Sequence, residues 1–314
     1  MEKTGYHVID GHCDTLYELW KQGGELRQNK LDISLESLSL HTSYVQFFAV
    51  WLDDATKTAK QDALAMIEVF ERELAKNKDI LLPVRDAADF ELVNKQGKIG
   101  GMLTIENGRA LEGSLDNLQL FYDLGVKALT LTWNEDNDLS GGIFGENRGL
   151  TEFGRDVIGK MNRLGMMVDV SHLSVQGFWD ALAISKAPIM ASHSCALSVA
   201  AHRRNLSDEQ IRALAEQGGM HGLNLYPAFL KEEAGAGISD MVSHIQHITA
   251  VGGEDSVGLG SDFDGFSGDR PIGLCGPEDY SHLFDALHKA GYSDDAIEKI
   301  SHGNWLRYVK DVLK

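Results

Sequence analysis

At 314 residues, 43% of them hydrophobic and 24% charged, the chain has an ordinary globular composition that permits a full-sized core and excludes long disordered stretches. A formal net charge of −18 repels phosphate, so nucleic acid and anionic membrane are excluded as expected partners. The N-terminal MEKTGYHVID lacks a basic stretch ahead of an apolar run, no window approaches the ~18 apolar residues of a membrane span, and Cys13, Cys195 and Cys275 form no CxxC pair; a cytoplasmic protein without disulfides or a thiolate zinc site is expected.

The first element is the strand HVIDG (7–11), which runs into His12 and Asp14. YVQFFAVWL (44–52) is the second strand, and DALAMIEVFERELAKN (62–77) follows with helical period. LPVRDAADFELVNKQ (82–96) reads as an added strand and helix ahead of the third barrel strand, GGMLTIENG (100–108). The helix LDNLQLFYDLG (115–125) ends in Gly before VKALTLTWN (126–134), as does TEFGRDVIGKMNRLG (151–165) before MMVDVSH (166–172). PIMASHS (188–194) comes next, then the helix SDEQIRALAEQGG (207–219), which Ser207 and Gln210 open as a capping box. MHGLNLYP (220–227), the helix DMVSHIQHITAVGG (240–253) and SVGLGSDFDG (256–265) complete the series, and SDDAIEKISHGNWLRYVKDVLK (293–314) reads as one or two closing helices.

Strands alternating with helices require parallel pairing and right-handed crossovers, and eight is the number that closes a barrel. The expected fold class is therefore α/β, a (β/α)8 TIM barrel of the metal-dependent hydrolase type, as one domain over 1–314 with C-terminal helices. An open doubly wound sheet is the competing architecture. It calls for a Gly-rich phosphate loop after the first strand, and GHCDT is not one.

In such barrels the chemistry gathers at the C-terminal strand ends. Those ends here carry His12 and Asp14, Glu106, His172, His193, and Asp262 with Asp264. His12 and Asp14, two apart in extended backbone, project to one side with Cys13 opposite, and an imidazole with a carboxylate can hold one divalent ion. The alternative is an Asp that caps the next turn beside a packed His. Glu106, facing the mouth, can bridge two metals through its two oxygens; the alternative is a buried ion pair. His172 and His193, on adjacent strands, add two more N ligands, and together the set predicts metal binding. His244 and His247 fall at spacing three beside the apolar stripe of Ile245 and Ile248, so they are expected at the surface or edge of a helix. His7, His41, His282, His288 and His302 have no ligand-like partners in sequence, while His202 and His221 stand nearer the expected mouth with no role assigned.

HCDT, TIENG, DVSH, ASHS followed by AHRRN, and GSDFDG, in that order, resemble the membrane dipeptidase (renal dipeptidase) family of metallopeptidases, and GNWLR (303–307) resembles that family's C-terminal signature. The resemblance covers about 7–307. It implies two zinc ions per chain, one on His12 and Asp14, the other on His172 and His193, with Glu106 bridging; other divalent metals fit the same donors. It also implies Arg204 for the substrate carboxylate, Asp262 near the scissile bond, and a homodimer. Where family members often read THxxN, this chain reads TWNEDN, so Trp133 and Asn134 stand in a substrate-contacting position in place of a histidine.

The function so implied is zinc-dependent hydrolysis of dipeptides, with D-residues at the C-terminal position among the candidates. A metal-bridging hydroxide would attack the carbonyl, with Glu106 and Asp262 as the catalytic carboxylates and Asp262 passing the proton to the leaving amine. Arg204 would clamp the terminal carboxylate, with at most one of Arg203 and Arg204 needed at the site. Two other readings compete: a cyclic-amide or phosphoester hydrolase on the same barrel, and a metal-binding barrel without catalysis. The first commonly opens with HxH and bridges through a modified lysine, whereas this chain has HxD and no lysine at a predicted strand end. The second is argued against by Asp262 and kept open by Trp133.

Overall fold

The computed structural model describes residues 3–313, so Met1 and Glu2 of the N-terminal stretch and Lys314 of the expected closing helix lie outside the described residues. Among the described residues there are nine parallel strands: β1 (His7–Cys13), β2 (Ser43–Trp51), β3 (Leu81–Pro83), β4 (Ile99–Glu106), β5 (Val126–Thr130), β6 (Met167–Asp169), β7 (Met190–Ser194), β8 (Met220–Leu223) and β9 (Val257–Leu259). Their order, β2-β1-β9-β8-β7-β6-β5-β4-β3, closes through a β2–β4 ladder running from Tyr44↔Ile99 to Trp51↔Glu106. Eight strands thus form a closed barrel, and β3 is the added one. It pairs with Ile99–Gly101 on the lower part of the β4 edge, while β5 takes the upper part from Leu103 to Glu106.

Burial on both faces explains the composition of the strands. β2 is SYVQFFAVW, rich in aromatic and β-branched residues, and all but Trp51 is buried. β6 and β9 are shorter than the sequence pattern implies because the chain leaves the ladder early. Beyond Asp169 its own carboxylate, rather than a neighbouring strand, accepts from the backbone N–H of Ser171. Beyond Leu259 the backbone turns through Asp262 (φ 65°) and Asp264 (φ 63°). The expected helices form with shifted ends, and Ser207 and Gln210 make their capping box. Helices Thr15–Gln22, Val175–Ile184 and Tyr280–Lys289 were not among the patterns read from sequence. In the second of these the exposed Val175 blurs the apolar stripe made by Phe178 and Ala181.

Two apolar cores result. The larger lies between the outer faces of the strands and the helices. The smaller fills the barrel, where Ile9, Val45, Phe47 and four methionines, Met102, Met167, Met190 and Met220, surround the indole of Trp305. Trp305 reaches in from the C-terminal helix Asn304–Val312, and a Cβ at Gly11 or Gly258 would fall 2.4 or 2.6 Å from its ring, so both positions require glycine. Its Nε1–H donates to Leu259 O at 2.8 Å, while Asn304 donates to Val257 O at 2.7 Å and Arg307 to the carbonyls of Gly218, Gly219 and Asp255. The GNWLR segment therefore plugs the N-terminal end of the barrel. Removing such a side chain costs about 3–5 kcal/mol. Among the described residues no helix is long and apolar enough to cross a membrane.

Candidate active site

The open end of the barrel carries the polar residues. β1 reaches it through a bulge: Asp10 pairs with Gln46 but Cys13 with Phe48, so β1 spends one more residue than β2. Ile9 and Gly11 face the barrel interior and Cys13 packs in the outer core, and the extra residue turns His12 inward. Asp10, buried outside the barrel, accepts from Tyr44, Tyr280 and the backbone N–H groups of His12 and Ser261, tying β1 to the end of β9. Asp14 stands at the N-cap of helix Thr15–Gln22 but makes no side-chain cap; its Oδ2 lies 3.5 Å from His12 Nε2. The capping alternative for this aspartate is thereby removed.

Glu106 ends β4 at the centre of the group. Its Oε2 lies 3.2 Å from His12 Nε2, and its Oε1 lies 2.9 Å from His172 Nε2 and 3.8 Å from His193 Nε2. One carboxylate thus turns each oxygen to a different set of imidazoles.

Donor counting identifies the histidine tautomers. His172 Nδ1 lies 3.2 Å from Asn134 Oδ1, an acceptor, so Nδ1 carries the hydrogen and Nε2 the lone pair. Asp169 accepts five hydrogen bonds: from the N–H and hydroxyl of Ser171, the N–H and hydroxyl of Ser192, and the Thr130 hydroxyl. The Ser192 hydroxyl donates its one hydrogen to Asp169 at 2.6 Å, so at 2.8 Å from His193 Nδ1 it accepts, and His193 Nε2 is likewise bare. Asn134, expected against substrate, lines the cavity and has its oxygen on His172. Asp169 and the two serines, which nothing in the motif spacing singled out, are the structural reason that DVSH and ASHS aim their histidines at one point.

Arg204 is 3% exposed and Arg203 is exposed, so one of the pair faces the site. The Arg204 guanidinium donates to Ser171 O and His193 O and approaches His172 Nε2 at 3.0 Å. Asp262 holds Oδ1 3.9 Å from His12 Nε2 and accepts from Asn224 on Oδ2 at 2.9 Å. A Cβ at Gly265 would fall 2.3 Å from both Asp14 Oδ2 and Asp262 Oδ1, which only glycine permits. Asp264 turns away to accept from the Thr15 hydroxyl at 2.6 Å and the N–H groups of Asp32 and Ile33. These groups line a cavity of about 640 Å³ together with Tyr17, Trp51, Trp133, His202, Tyr226, Phe229 and Phe266.

His221 is buried behind the mouth, with Nε2 3.0 Å from Ser194 O. His244, expected at the surface or edge, is fully buried: its Nδ1 accepts from Ala196 N and its Nε2 faces Leu230 O. The helix here packs a polar ring against a loop whose backbone needs partners, which an apolar stripe does not reveal. Lys127 lies at the start of β5 over the Tyr122 ring, away from the mouth.

Two buried carboxylates, Asp14 and Glu106, and the half-buried Asp262 around one imidazole set the electrostatics. Burial, then the charge of Glu106, raises Asp14 to about 8, and burial raises Asp262. Burial opposes protonation of His12, but Glu106 and Asp14 outweigh it and lift the group well above the ordinary imidazole range. Glu106 is held below the usual carboxylate range by His12 and His172 in spite of its burial. Burial and the Arg204 charge lower His172 to about 4, and burial with His12 lowers His193, so both stay neutral at pH 7.

The donors fit divalent cations. His12 Nε2 and Asp14 Oδ1 are buried without a hydrogen-bond partner, and two overlapping clusters, His12 with Glu106 and His193, and His12 with Asp14 and Asp262, each bring their ligand atoms within 4.8 Å. Imidazole and carboxylate without thiolate suit zinc, manganese or a similar ion. Cys13 and Cys195 are buried and bonded to Thr15 and Asn224, and Cys275 is exposed.

A family model described as Membrane dipeptidase (Peptidase family M19) matches residues 3–314. An uncharacterised dipeptidase of Schizosaccharomyces pombe is 34% identical over 342 residues, covering 96% of this chain and 80% of its own. A crystal structure of a metallopeptidase from Rhodobacter sphaeroides, liganded with a phosphinate mimic of the dipeptide L-Ala-D-Ala, superposes with a TM-score of 0.90 at 28% identity, covering 98% of this chain and 99% of the other. That of a second metallopeptidase, described as the dipeptidase AC, does so with a TM-score of 0.90 at 29% identity and 98% of each chain.

Proposed function

The chain belongs to the membrane dipeptidase family, peptidase family M19, and is a metallo-dipeptidase; from that premise we propose how its own residues divide the work. His12 and Asp14 would hold one divalent cation, His172 and His193 a second, and Glu106 both, with zinc as the metal. When bound, such cations supply Lewis acidity and lower the pKa of water from about 15.7 toward 7. Arg204 binds the C-terminal carboxylate of the dipeptide, a planar match that also rejects substrates lacking a carboxylate there. Asp262 takes a proton on Oδ1 from the attacking water and returns it to the leaving amine, while Asn224 keeps Oδ2 fixed. Burial raises this carboxyl above its usual range, which suits a group that must both accept and release a proton.

The observation that carries this reading is Glu106, whose two oxygens face His12 at 3.2 Å and His172 at 2.9 Å. The mimic bound to the Rhodobacter sphaeroides relative supports including D-residues at the C-terminal position among substrates. One domain over 1–314, a homodimeric assembly and a cytoplasmic location belong to the same proposal. Elemental analysis after reconstitution, with assays on dipeptides, dihydropyrimidines, lactones and phosphoesters, tests it. Two metal equivalents and turnover confined to dipeptides support it. Turnover of the other classes favours a cyclic-amide or phosphoester hydrolase, and metal uptake without turnover favours a binding protein.

A further inference from the structure

Three aromatic side chains form a continuous run along one side of the mouth. Tyr17 and Trp51 meet edge-on at 4.6 Å between ring centroids, and Trp51 and Trp133 at 5.0 Å; all three are half-buried and line the 640 Å³ cavity. Tyr17 lies in the helix after β1, Trp51 ends β2 and Trp133 lies in the loop after β5, so no local pattern in the sequence joins them.

Their position relative to Arg204 follows from the strand order. Around the barrel the order is β1, β2, β4, β5, β6, β7, β8, β9, so β2 stands four strands from β7 in either direction. Arg204 follows β7 and is bonded to the backbone at the ends of β6 and β7; Trp51 ends β2. Trp51 therefore faces Arg204 across the mouth, with Glu106 at the end of β4 beside it. On the Arg204 side the guanidinium carbon lies 5.3 Å from the centroid of the Phe229 ring.

We propose that the Tyr17–Trp51–Trp133 wall makes this enzyme selective for dipeptides whose N-terminal residue carries a large apolar or aromatic side chain. The inference rests on the assignment of the substrate carboxylate to Arg204. With that end anchored over β6 and β7, the amino-terminal residue is the half that crosses the reacting centre toward β2. Ring faces and edges offer a large rigid contact at small entropic cost, and each unit of apolar side chain buried there adds to transition-state binding. A small side chain leaves the wall wet.

The test uses the metal-loaded full chain and two substrate series. In Xaa-Ala, Xaa is Gly, Ala, Leu, Phe and Tyr; in Ala-Xaa the same residues stand second. The expected kcat/KM for Phe-Ala exceeds that for Gly-Ala by roughly tenfold or more, with a smaller spread in the Ala-Xaa series. In W51A and W133A the Phe-Ala to Gly-Ala ratio falls at least fivefold. The ratio is taken within one preparation, so the active fraction cancels, and Trp133→His provides a milder variant with a smaller ring. A flat Xaa-Ala series, a spread confined to the second position, or a ratio retained in all three variants overturns the inference while leaving a dipeptidase. Failure of the wild-type chain to hydrolyse any member of either series overturns the dipeptidase reading itself, and the inference with it.

Discussion

His172 and His193 present their Nε2 atoms 2.9 Å apart, although one follows β6 and the other lies in β7. Each has its Nδ1–H engaged, so two lone pairs face one another beside Glu106 Oε1. Two neutral acceptors are held that close only to advantage if a cation draws on both.

His172→Ala and His193→Ala are each expected to lower bound metal below two equivalents and to reduce kcat/KM by roughly a thousandfold, since several kcal/mol of transition-state stabilisation go with the cation. Chelation of the wild-type chain should abolish turnover, with divalent metal restoring it. Elemental analysis beside a dipeptide assay measures both. Two retained equivalents in either variant would contradict the ligand assignment.

Asp169 reaches the His193 ring through the Ser192 hydroxyl. Ser192→Ala or Asp169→Asn frees the His193 tautomer, and metal affinity should fall about 10- to 100-fold, as for other outer partners of metal-bound histidines. Competition against a chromophoric chelator reads this without relying on turnover. Unchanged affinity in Ser192→Ala would show that the serine only packs.

Arg204→Met should raise KM for free dipeptides and abolish discrimination against dipeptide amides, which the wild-type chain should hydrolyse poorly. A buried charge paired by bidentate contact contributes about 2–5 kcal/mol when one partner is lost, or about 30-fold and more. Retained preference for the free carboxylate would move the clamp to another residue.

His221, buried on β8, is lowered to about 4 by burial, against about 6.5 in an unfolded chain. The unfolded state therefore binds the extra proton first. The stability held by the neutral ring is complete above pH 6.5 and is lost as pH falls through 4, by roughly 3 kcal/mol at the limit. Urea unfolding from pH 7 to 4 should show a steeper loss for the wild type than for His221→Gln, whose amide can still donate to Ser194 O. Parallel curves would remove His221 from the acid response.

Much of this site is legible in one dimension. The alternation of apolar runs and helical periods implies the barrel, and the rule that chemistry gathers at strand C-termini points to His12, Asp14, Glu106, His172, His193, Asp262 and Asp264 without coordinates, the family resemblance alone preferring Asp262 over Asp264. The burial of His244 is not legible there, because an imidazole on a helix beside isoleucines looks the same whether its far side meets water or the backbone of Ala196 and Leu230.

By itself, the sequence determined the kinds of residue at each strand end and the repeating unit that carries them, since both are written in local periodicity. Only the tertiary structure decided the bulge that turns His12 inward, the Trp305 plug against Gly11 and Gly258, the sharing of Asp169 between two strands, and the opposition of Trp51 to Arg204. Each of these joins residues remote along the chain through barrel closure, and closure is a property of the whole set of strands that no window of residues contains.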